Sequence, residues 1–166
     1  NSVTTLGQYV FSCCSNLTNV TLSAGLKTIE KHAFGSCGLK SIIIPEGVTK
    51  IEHYAFSGCK NLKTVTLKEG LKSMGYGMFY GCTSLNELTM PASVTSCPYY
   101  DSYDGYSRVY YYGPLAGSSI TKVTLSEGRT SIPAYMFRNA KSLTDITILD
   151  SIKIIGDYAF AWCTGF

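Results

Sequence analysis

Apolar residues recur along this chain at a nearly fixed spacing. Successive anchors of the pattern are separated by 22, 23, 23, 35 and 23 residues, and further apolar residues follow each anchor three and five positions later. The anchors are Leu17, Leu39, Leu62, Leu85, Ile120 and Leu143. A second apolar pair follows in the same register, with Arg129 as its misfit in the fifth unit. Self-similarity at this period is the sequence signature of a repeat architecture.

Phenylalanine holds one position of the repeat almost throughout. The chain has 7 phenylalanines, and six of them share this position, with Leu115 in the remaining unit. The six are Phe11, Phe34, Phe56, Phe79, Phe137 and Phe160. Because one repeat cannot bury its apolar face alone, stacked neighbours must cover it. We therefore expect the six rings to stack on one another as the structural core.

The last three positions of the first apolar segment alternate as in a strand with one buried face, and frequent Thr and Val favour that interpretation. Glycine and proline, such as Pro45 and Gly47, mark the bend that follows. The pattern predicts a mostly β repeat solenoid. Each repeat of 22–23 residues supplies one short parallel strand, with short helical or irregular turns on the other side.

We interpret the chain as a single solenoid of one partial repeat and six further repeats. Both ends fall inside a repeat and neither resembles the polar cap of a solenoid, so we expect a slice of a longer array. The repeats are 1–16, 17–38, 39–61, 62–84, 85–119, 120–142 and 143–165.

Five of the seven cysteines share one position, three residues after the aromatic one. Stacked neighbours would hold their Cβ atoms about 4.8 Å apart, beyond the roughly 3.5–4.5 Å of a disulfide, and zinc needs ligands that converge. We predict buried thiols that act as small core residues, at Cys14, Cys37, Cys59, Cys82 and Cys163. Cys13 falls at a corner that we expect to be exposed.

The fourth repeat contains an insertion, residues 98–113, that holds seven of the 13 tyrosines. Tyrosine offers a large, rigid contact area at low entropic cost, as in antibody loops. The candidate binding residues are Tyr99, Tyr100, Asp101, Tyr103, Tyr106, Arg108, Tyr110, Tyr111 and Tyr112. Alternatively, the insertion folds back over apolar surface near Leu115, where the phenylalanine is missing.

The outward side of the strands is a second candidate surface. Its central column includes Thr66, Thr89 and Thr124, and it is flat and weakly charged. Such a face suits an extended protein or a glycan. It is equally consistent with an ordinary solvent-facing strand, since threonine has good β propensity.

Composition and charge exclude several functions. The 14 Lys+Arg residues nearly balance the 11 Asp+Glu residues without a cationic run, so nucleic acid is not an expected partner. No apolar stretch approaches the roughly 18 residues of a membrane span, so membrane insertion is not expected. His32 and His53 lie near Glu30 and Glu52 in the sequence. This group is interpreted either as a metal site or as a solvated polar edge. No catalytic set is assembled, so we expect no enzyme, cofactor or bound metal.

The segment from Leu39 to Cys59, with its Ala55-Phe56 corner, resembles the bacterial surface-antigen (BspA-type) leucine-rich repeats. The fourth repeat departs from the pattern at Cys97, Leu115 and Ser118. The resemblance implies a right-handed solenoid on a secreted or cell-surface protein, often one that contacts host proteins. It implies a non-enzymatic adhesion module that binds an extracellular host protein or a glycan. The alternative is a purely structural spacer in a larger surface protein.

Overall fold

The computed structural model describes residues 3–98 and 112–166. It is a β-solenoid of about six turns, here called rungs, whose strands pair in parallel. Within the described residues it has no helix, so the non-strand sides of each rung are irregular turns. The predicted repeat solenoid is therefore confirmed.

Eleven short strands form the rungs within these residues. They are β1 Thr5–Leu6, β2 Thr28–Ile29, β3 Ser41–Ile44, β4 Lys50–Ile51, β5 Thr64–Leu67, β6 Ser73–Met74, β7 Glu87–Met90, β8 Lys122–Leu125, β9 Ser131–Ile132, β10 Asp145–Ile146 and β11 Ile154–Ile155.

The first ladder contains the strands predicted from the alternating pattern. β3 pairs with β5, and β8 lies between β7 and β10. In β3, Ile42 and Ile44 are buried while Ser41 and Ile43 are exposed. The same alternation in β7 and β8 sends every second side chain to solvent. This ladder defines the strand face of the molecule.

A second ladder of two-residue strands runs along another side, in the order β1-β2-β4-β6, with β9 paired to β11 beyond it. The sequence predicted one strand per repeat, so this ladder is an addition. Its inner strands β2, β4, β6 and β9 hold one buried residue each, such as Ile29 in β2 and Ile51 in β4, whereas the end strands β1 and β11 hold none. A strand of two residues is too short to show an alternation of apolar and polar positions. The sequence pattern therefore predicted a turn at these residues.

The corner that carries the phenylalanines is held by backbone bonds between rungs. The amide of Phe34 donates to the carbonyl of Ala55 at 2.8 Å, and the amide of Phe56 donates to that of Met78 at 3.0 Å. Six of the seven described corners have two positions with positive φ, and the corner of Gly117 has only the second. The second of these holds Cys13, Ser36, Gly58, Gly81, Gly117, Asn139 and Trp162, with φ between 55° and 73°. This left-handed conformation favours glycine and asparagine, which explains their frequency there.

The phenylalanines form a stacked column inside the solenoid. Phe34, Phe56, Phe79 and Phe137 are fully buried, and the centroids of the Phe34 and Phe56 rings lie 5.3 Å apart. Phe11 and Phe160 are half-buried because each lies in an end rung, with a stacked ring on one side only. Leu115 continues the buried column where the phenylalanine is missing.

The cysteine column makes a second set of links between rungs. The thiol of Cys59 donates to the carbonyl oxygen of Phe34 at 3.0 Å, and that of Cys82 donates to Phe56 at 3.1 Å. Burial raises the pKa of both thiols to about 12. Cys37 is also buried, and Cys163 is half-buried. The prediction of a buried Cys14 is wrong, because this residue is exposed in the first rung, which has a neighbour on one side only.

Candidate binding surfaces

The strand face is flat and nearly uncharged where the threonines lie. Thr89 and Thr124 are register partners in β7 and β8, and both are exposed, whereas Thr66 is half-buried. Ile43 occupies the same column and is 60% exposed. An ion pair between Lys122 and Asp145, 3.7 Å long and largely solvent-exposed, flanks the column. The strand face therefore offers a partner hydroxyl groups on a flat surface.

Most of the tyrosine-rich insertion lies outside the described residues. The candidate positions affected are Tyr99, Tyr100, Asp101, Tyr103, Tyr106, Arg108, Tyr110 and Tyr111. Tyr112, at the end of the insertion, is described and half-buried. Its neighbours on the solenoid therefore show which side of the molecule the insertion joins.

The insertion interrupts one ladder and spares the other. In the first ladder, β7 and β8 keep four paired residues, from Glu87↔Lys122 to Met90↔Leu125. In the second ladder, pairing runs from Ser73 to Ser96 and resumes only between β9 and β11. The rungs before and after the insertion thus stay joined at the strand face and separate at the second ladder, as far as the described residues extend.

Arg129 fills this break. Its Nη1 donates to the carbonyl of Val94 at 3.0 Å and to that of Ser131 at 3.1 Å, and its Nη2 donates to the carbonyl of Pro91. The side chain is buried, and burial lowers the pKa of its guanidinium, an effect that nearby Glu69 opposes. The misfit of the sequence pattern is therefore a clamp that supplies donors where the backbone ladder is interrupted.

Glu69 supports the same bend from the preceding rung. Its two carboxylate oxygens accept hydrogen bonds from the amides of Ala92 and Ser93, at 2.9 and 3.0 Å. Burial by itself would raise the pKa of Glu69. The hydrogen bonds and the charge of Arg129 outweigh this effect, so the net pKa is lowered. The turn that leads into the insertion is thereby fixed from both neighbouring rungs.

Aromatic side chains line the outside of the corner on both sides of the insertion. Tyr9, His32 and Tyr54 stack with centroid separations of 5.0 and 5.2 Å. We call the whole set the aromatic strip: Tyr9, His32, Tyr54, Tyr76, Tyr80, Tyr135, Tyr158 and Trp162. Tyr9, Tyr80, Tyr158 and Trp162 are exposed, and the other four are half-buried. Exposed apolar surface that is contiguous often marks an interaction site.

The insertion joins the strip at a tyrosine cluster. The ring of Tyr54 meets Tyr76 edge-on at 5.1 Å and Tyr80 edge-on at 6.3 Å. Burial raises the pKa of Tyr54, and the nearby hydroxyls of Tyr76, Tyr112 and Tyr80 raise it further. Tyr112 is therefore close to Tyr54, and the end of the insertion lies beside the strip.

Two glycines make room for these rings. A Cβ atom at Gly117 would lie 2.4 Å from Cδ2 of Tyr80, and one at Gly77 would lie 2.4 Å from Cε1 of Tyr54. Both glycines also have positive φ, 69° and 57°. Each tyrosine therefore lies directly on the backbone of the next rung, and Tyr80 remains 49% exposed.

Beyond the insertion, Arg138 packs against the aromatic rings of the strip. The guanidinium carbon of Arg138 lies 4.1 Å from the ring centroid of Trp162 and 5.1 Å from that of Tyr158. Tyr135 stacks on Tyr158 at 5.6 Å. Arg138 is buried, whereas Tyr158 and Trp162 are more than half exposed. Trp, Tyr and Arg are the residues most enriched among binding hot spots.

The strip was not predicted from the sequence, because only part of it recurs at one repeat position. Five members lie two residues before a phenylalanine of the column, and three lie elsewhere: Tyr76, Tyr80 and Trp162. Tyr54 lies two positions before its phenylalanine, whereas Tyr76 lies three before Phe79 and Tyr80 one after it. Treating His32 as an aromatic residue, together with Tyr9 and Tyr54, would have been the available signal.

The two histidines do not form the polar edge that was expected. His53 is 8% exposed, so it does not lie on a solvated edge, and His32 is part of the aromatic strip. Across residues 3–98 and 112–166, no three His, Cys, Asp or Glu side chains are grouped so as to hold a metal ion. In the same residues, no helix is long and apolar enough to cross a membrane.

The family model described as the BspA type leucine-rich repeat region matches residues 1–104 and 113–166, with six copies. The chain therefore belongs to the BspA-type leucine-rich repeat family, as the resemblance implied. Members with this repeat and fold are typically non-enzymatic. No curated protein matches the chain significantly.

Solved structures of bacterial leucine-rich repeat proteins share this fold. A protein from Eubacterium ventriosum is 28% identical with a TM-score of 0.72, over 97% of this chain and 41% of its own. One from Bacteroides ovatus is 27% identical with a TM-score of 0.54, over 99% of this chain and 57% of its own. The T. pallidum leucine-rich repeat protein, 23% identical with a TM-score of 0.73 over 98% of this chain and 71% of its own, shows the fold alone. The chain thus spans about half the length of the first two.

Proposed function

We propose that this chain is a non-enzymatic binding module of a secreted or cell-surface protein, and that it contacts an extracellular protein or glycan. Its membership in the BspA-type family supports a surface repeat protein. The partner is expected to contact the insertion and the aromatic strip beside it, with the strand face as a second surface.

One observation carries this proposal: exposed aromatic side chains flank the insertion on both sides along one corner. Tyr80 lies 49% exposed before it, and Tyr158 and Trp162 lie 57% and 54% exposed after it. Tyr112, at the end of the insertion, is near enough to Tyr54 to raise the pKa of its hydroxyl. Rigid aromatic side chains gain contact area with little loss of entropy, so they favour binding over mere solvation. The strand face, by contrast, offers mainly isolated hydroxyl groups around Thr89 and Thr124.

The test is a host-protein and glycan array probed with the folded chain and two matched variants. The corner variant replaces Tyr80 and five insertion tyrosines with serine: Tyr99, Tyr100, Tyr106, Tyr110 and Tyr111. The face variant replaces Thr89 and Thr124 with alanine. We expect the corner variant to lose at least about tenfold in affinity while the face variant keeps its binding. Loss of binding only in the face variant would move the site to the strands.

The second candidate is a spacer that sets the distance of another domain from the surface. The regular register of the strands supports it, since paired residues are offset by one repeat throughout, as in Ser41↔Thr64. If the folded chain binds nothing on the array, the spacer is favoured. A melting temperature that falls sharply in the corner variant would instead support the insertion as a cover for apolar surface.

A further inference from the structure

His53 joins two neighbouring rungs through its side chain. Its Nδ1 accepts a hydrogen bond from the backbone amide of Tyr76 at 3.1 Å. The two rings also stack, with centroids 3.8 Å apart and an angle of 24° between their planes. The side chain of His53 thus adds a hydrogen bond and a ring contact to the backbone bonds between these rungs.

The hydrogen bond fixes the protonation state of the imidazole. Because Nδ1 accepts from an N–H group, it carries no proton, and the neutral ring must hold its proton on Nε2. Nε2 lies 3.7 Å from Oε2 of Glu52. A second proton would have to bind at Nδ1, where it would face the Tyr76 N–H group. The protonated ring therefore cannot keep this bond.

We propose that His53 is a proton-sensitive link between these rungs, and that its protonation releases the Tyr76 amide and loosens the tyrosine cluster. Tyr76 packs edge-on against Tyr54, which in turn meets Tyr80, so a shift of Tyr76 changes the surface beside the insertion. The link is a property of the fold and holds whether or not the strip binds a partner.

The charged groups around His53 act in opposite directions. Glu52, in the same rung, favours the imidazolium, but its carboxylate is also paired with Lys50. Lys31, from the preceding rung, and Lys50 disfavour it, as does Tyr76 on the other side through its amide. Burial is the largest effect and lowers the pKa of His53 from its usual value of 6.5; Glu52 only partly offsets this.

The contribution of His53 to the stability of the fold decreases in acid. The folded state binds its proton at lower pH than the unfolded chain, so the neutral ring stabilises the fold fully above pH 6.5. That stabilisation is lost as the pH falls below 6.5 and through the pKa of the folded state. Mild acid therefore weakens this link while the carboxylates elsewhere are still ionised.

Nuclear magnetic resonance of the whole chain tests the proposal, because the chain has only 2 histidines and a variant that lacks one of them assigns both imidazole signals. The pH is lowered from about 8 to about 5, the range in which histidine titrates. We expect the backbone amide resonance of Tyr76 to shift with the same midpoint as His53, below 6.5. An amide resonance of Tyr76 that ignores the titration of His53 overturns the proposal.

Two matched variants assign the effect. In His53→Asn, the amide oxygen takes the place of Nδ1 as acceptor but does not titrate, so the Tyr76 resonance should stay constant with pH. His32→Asn removes the other histidine, whose Nδ1 lies 3.3 Å from the Ser57 hydroxyl, and should leave the Tyr76 titration intact. A Tyr76 titration that persists in His53→Asn contradicts the proposal. If His53→Asn does not fold, the wild-type titration together with His32→Asn decides.

Discussion

The guanidinium of Arg129 donates a 3.0 Å hydrogen bond to the carbonyl oxygen of Val94, across the break that the insertion makes in the second ladder. A second bond reaches Pro91 in the same earlier rung. The chain thus tolerates a long insertion because one buried cation replaces the donors that a continuous ladder would supply. This relationship joins the two rungs on either side of the insertion.

Replacing Arg129 with leucine should destabilise the fold by about 2–4 kcal/mol. The buried carbonyl of Val94 would lose its guanidinium donor, and that of Pro91 would keep only the amide of Val94, at 3.3 Å. Urea unfolding followed by circular dichroism measures this change. Arg129→Lys is the matched control, since it keeps the charge and restores part of the hydrogen bonding. Equal stability of the leucine variant and the wild type would show that Arg129 is not a clamp.

Truncating the stacked column should cost far more than truncating the strand face. Phe56 is fully buried between Phe34 and Phe79, so Phe56→Ala should lose about 3–5 kcal/mol by forming a cavity. Thr66→Ala, on the outward side of β5, should lose less than about 1 kcal/mol. Chemical denaturation of the two variants gives the comparison. Similar losses would mean that the two faces are assigned the wrong way round.

The Tyr80 ring should make Gly117 intolerant of a side chain. Gly117→Ala would bring a methyl group onto Cδ2 of Tyr80 as well as straining a positive φ. Gly128 has a φ of 82° and open space around it, so Gly128→Ala measures the backbone strain alone, about 1 kcal/mol. We expect Gly117→Ala to lose clearly more, by thermal denaturation, and the excess to vanish in a Tyr80→Ala background. A persisting excess would place the clash elsewhere.

Thiol reactivity should follow the cysteine column. Cys13 and Cys14 are exposed and should be alkylated within minutes at about pH 8, as accessible thiols are. Cys59, Cys82 and Cys97 should stay unmodified until the chain is unfolded, because burial raises the pKa of each thiol to about 12. Peptide mass spectrometry after brief labelling distinguishes the sites. Rapid labelling of Cys59 in the folded chain would contradict its position in the core.

The regular part of this fold is visible in the sequence because the same physical requirement returns in every rung. Phe34, Phe56 and Phe79 must each fill the same space, so their spacing alone predicts the stacked column and the parallel strands. The second ladder cannot be predicted in this way. A strand such as β4 has only two residues, of which Ile51 is buried and Lys50 is exposed. The spacing gives the period, but not which backbone segments pair.

The candidate site was only partly visible. The insertion stands out as a break in the period, and Thr89 and Thr124 follow from alternation. The aromatic strip draws on four different positions around the corner, and its packing over Gly77 and Gly117 depends on backbone φ angles that the sequence does not show. The role of Arg129 depends on which carbonyls the insertion leaves without partners. Arg129 and the rings of Tyr76, Tyr80 and Trp162 lie at positions that do not recur as such from repeat to repeat, so the repeated pattern does not reveal them.

The central claim is that equivalent residues stack one rung apart, and nuclear Overhauser contacts between phenylalanine rings test it most directly. With selectively labelled phenylalanine, we predict cross-peaks between the rings of Phe34 and Phe56, whose centroids lie 5.3 Å apart. We also predict them between the rings of Phe56 and Phe79, whose centroids lie 5.9 Å apart. No direct cross-peak is expected between Phe34 and Phe79, which lie two rungs apart. A direct Phe34–Phe79 contact, or the absence of both neighbouring contacts in the folded chain, would contradict the stacked solenoid.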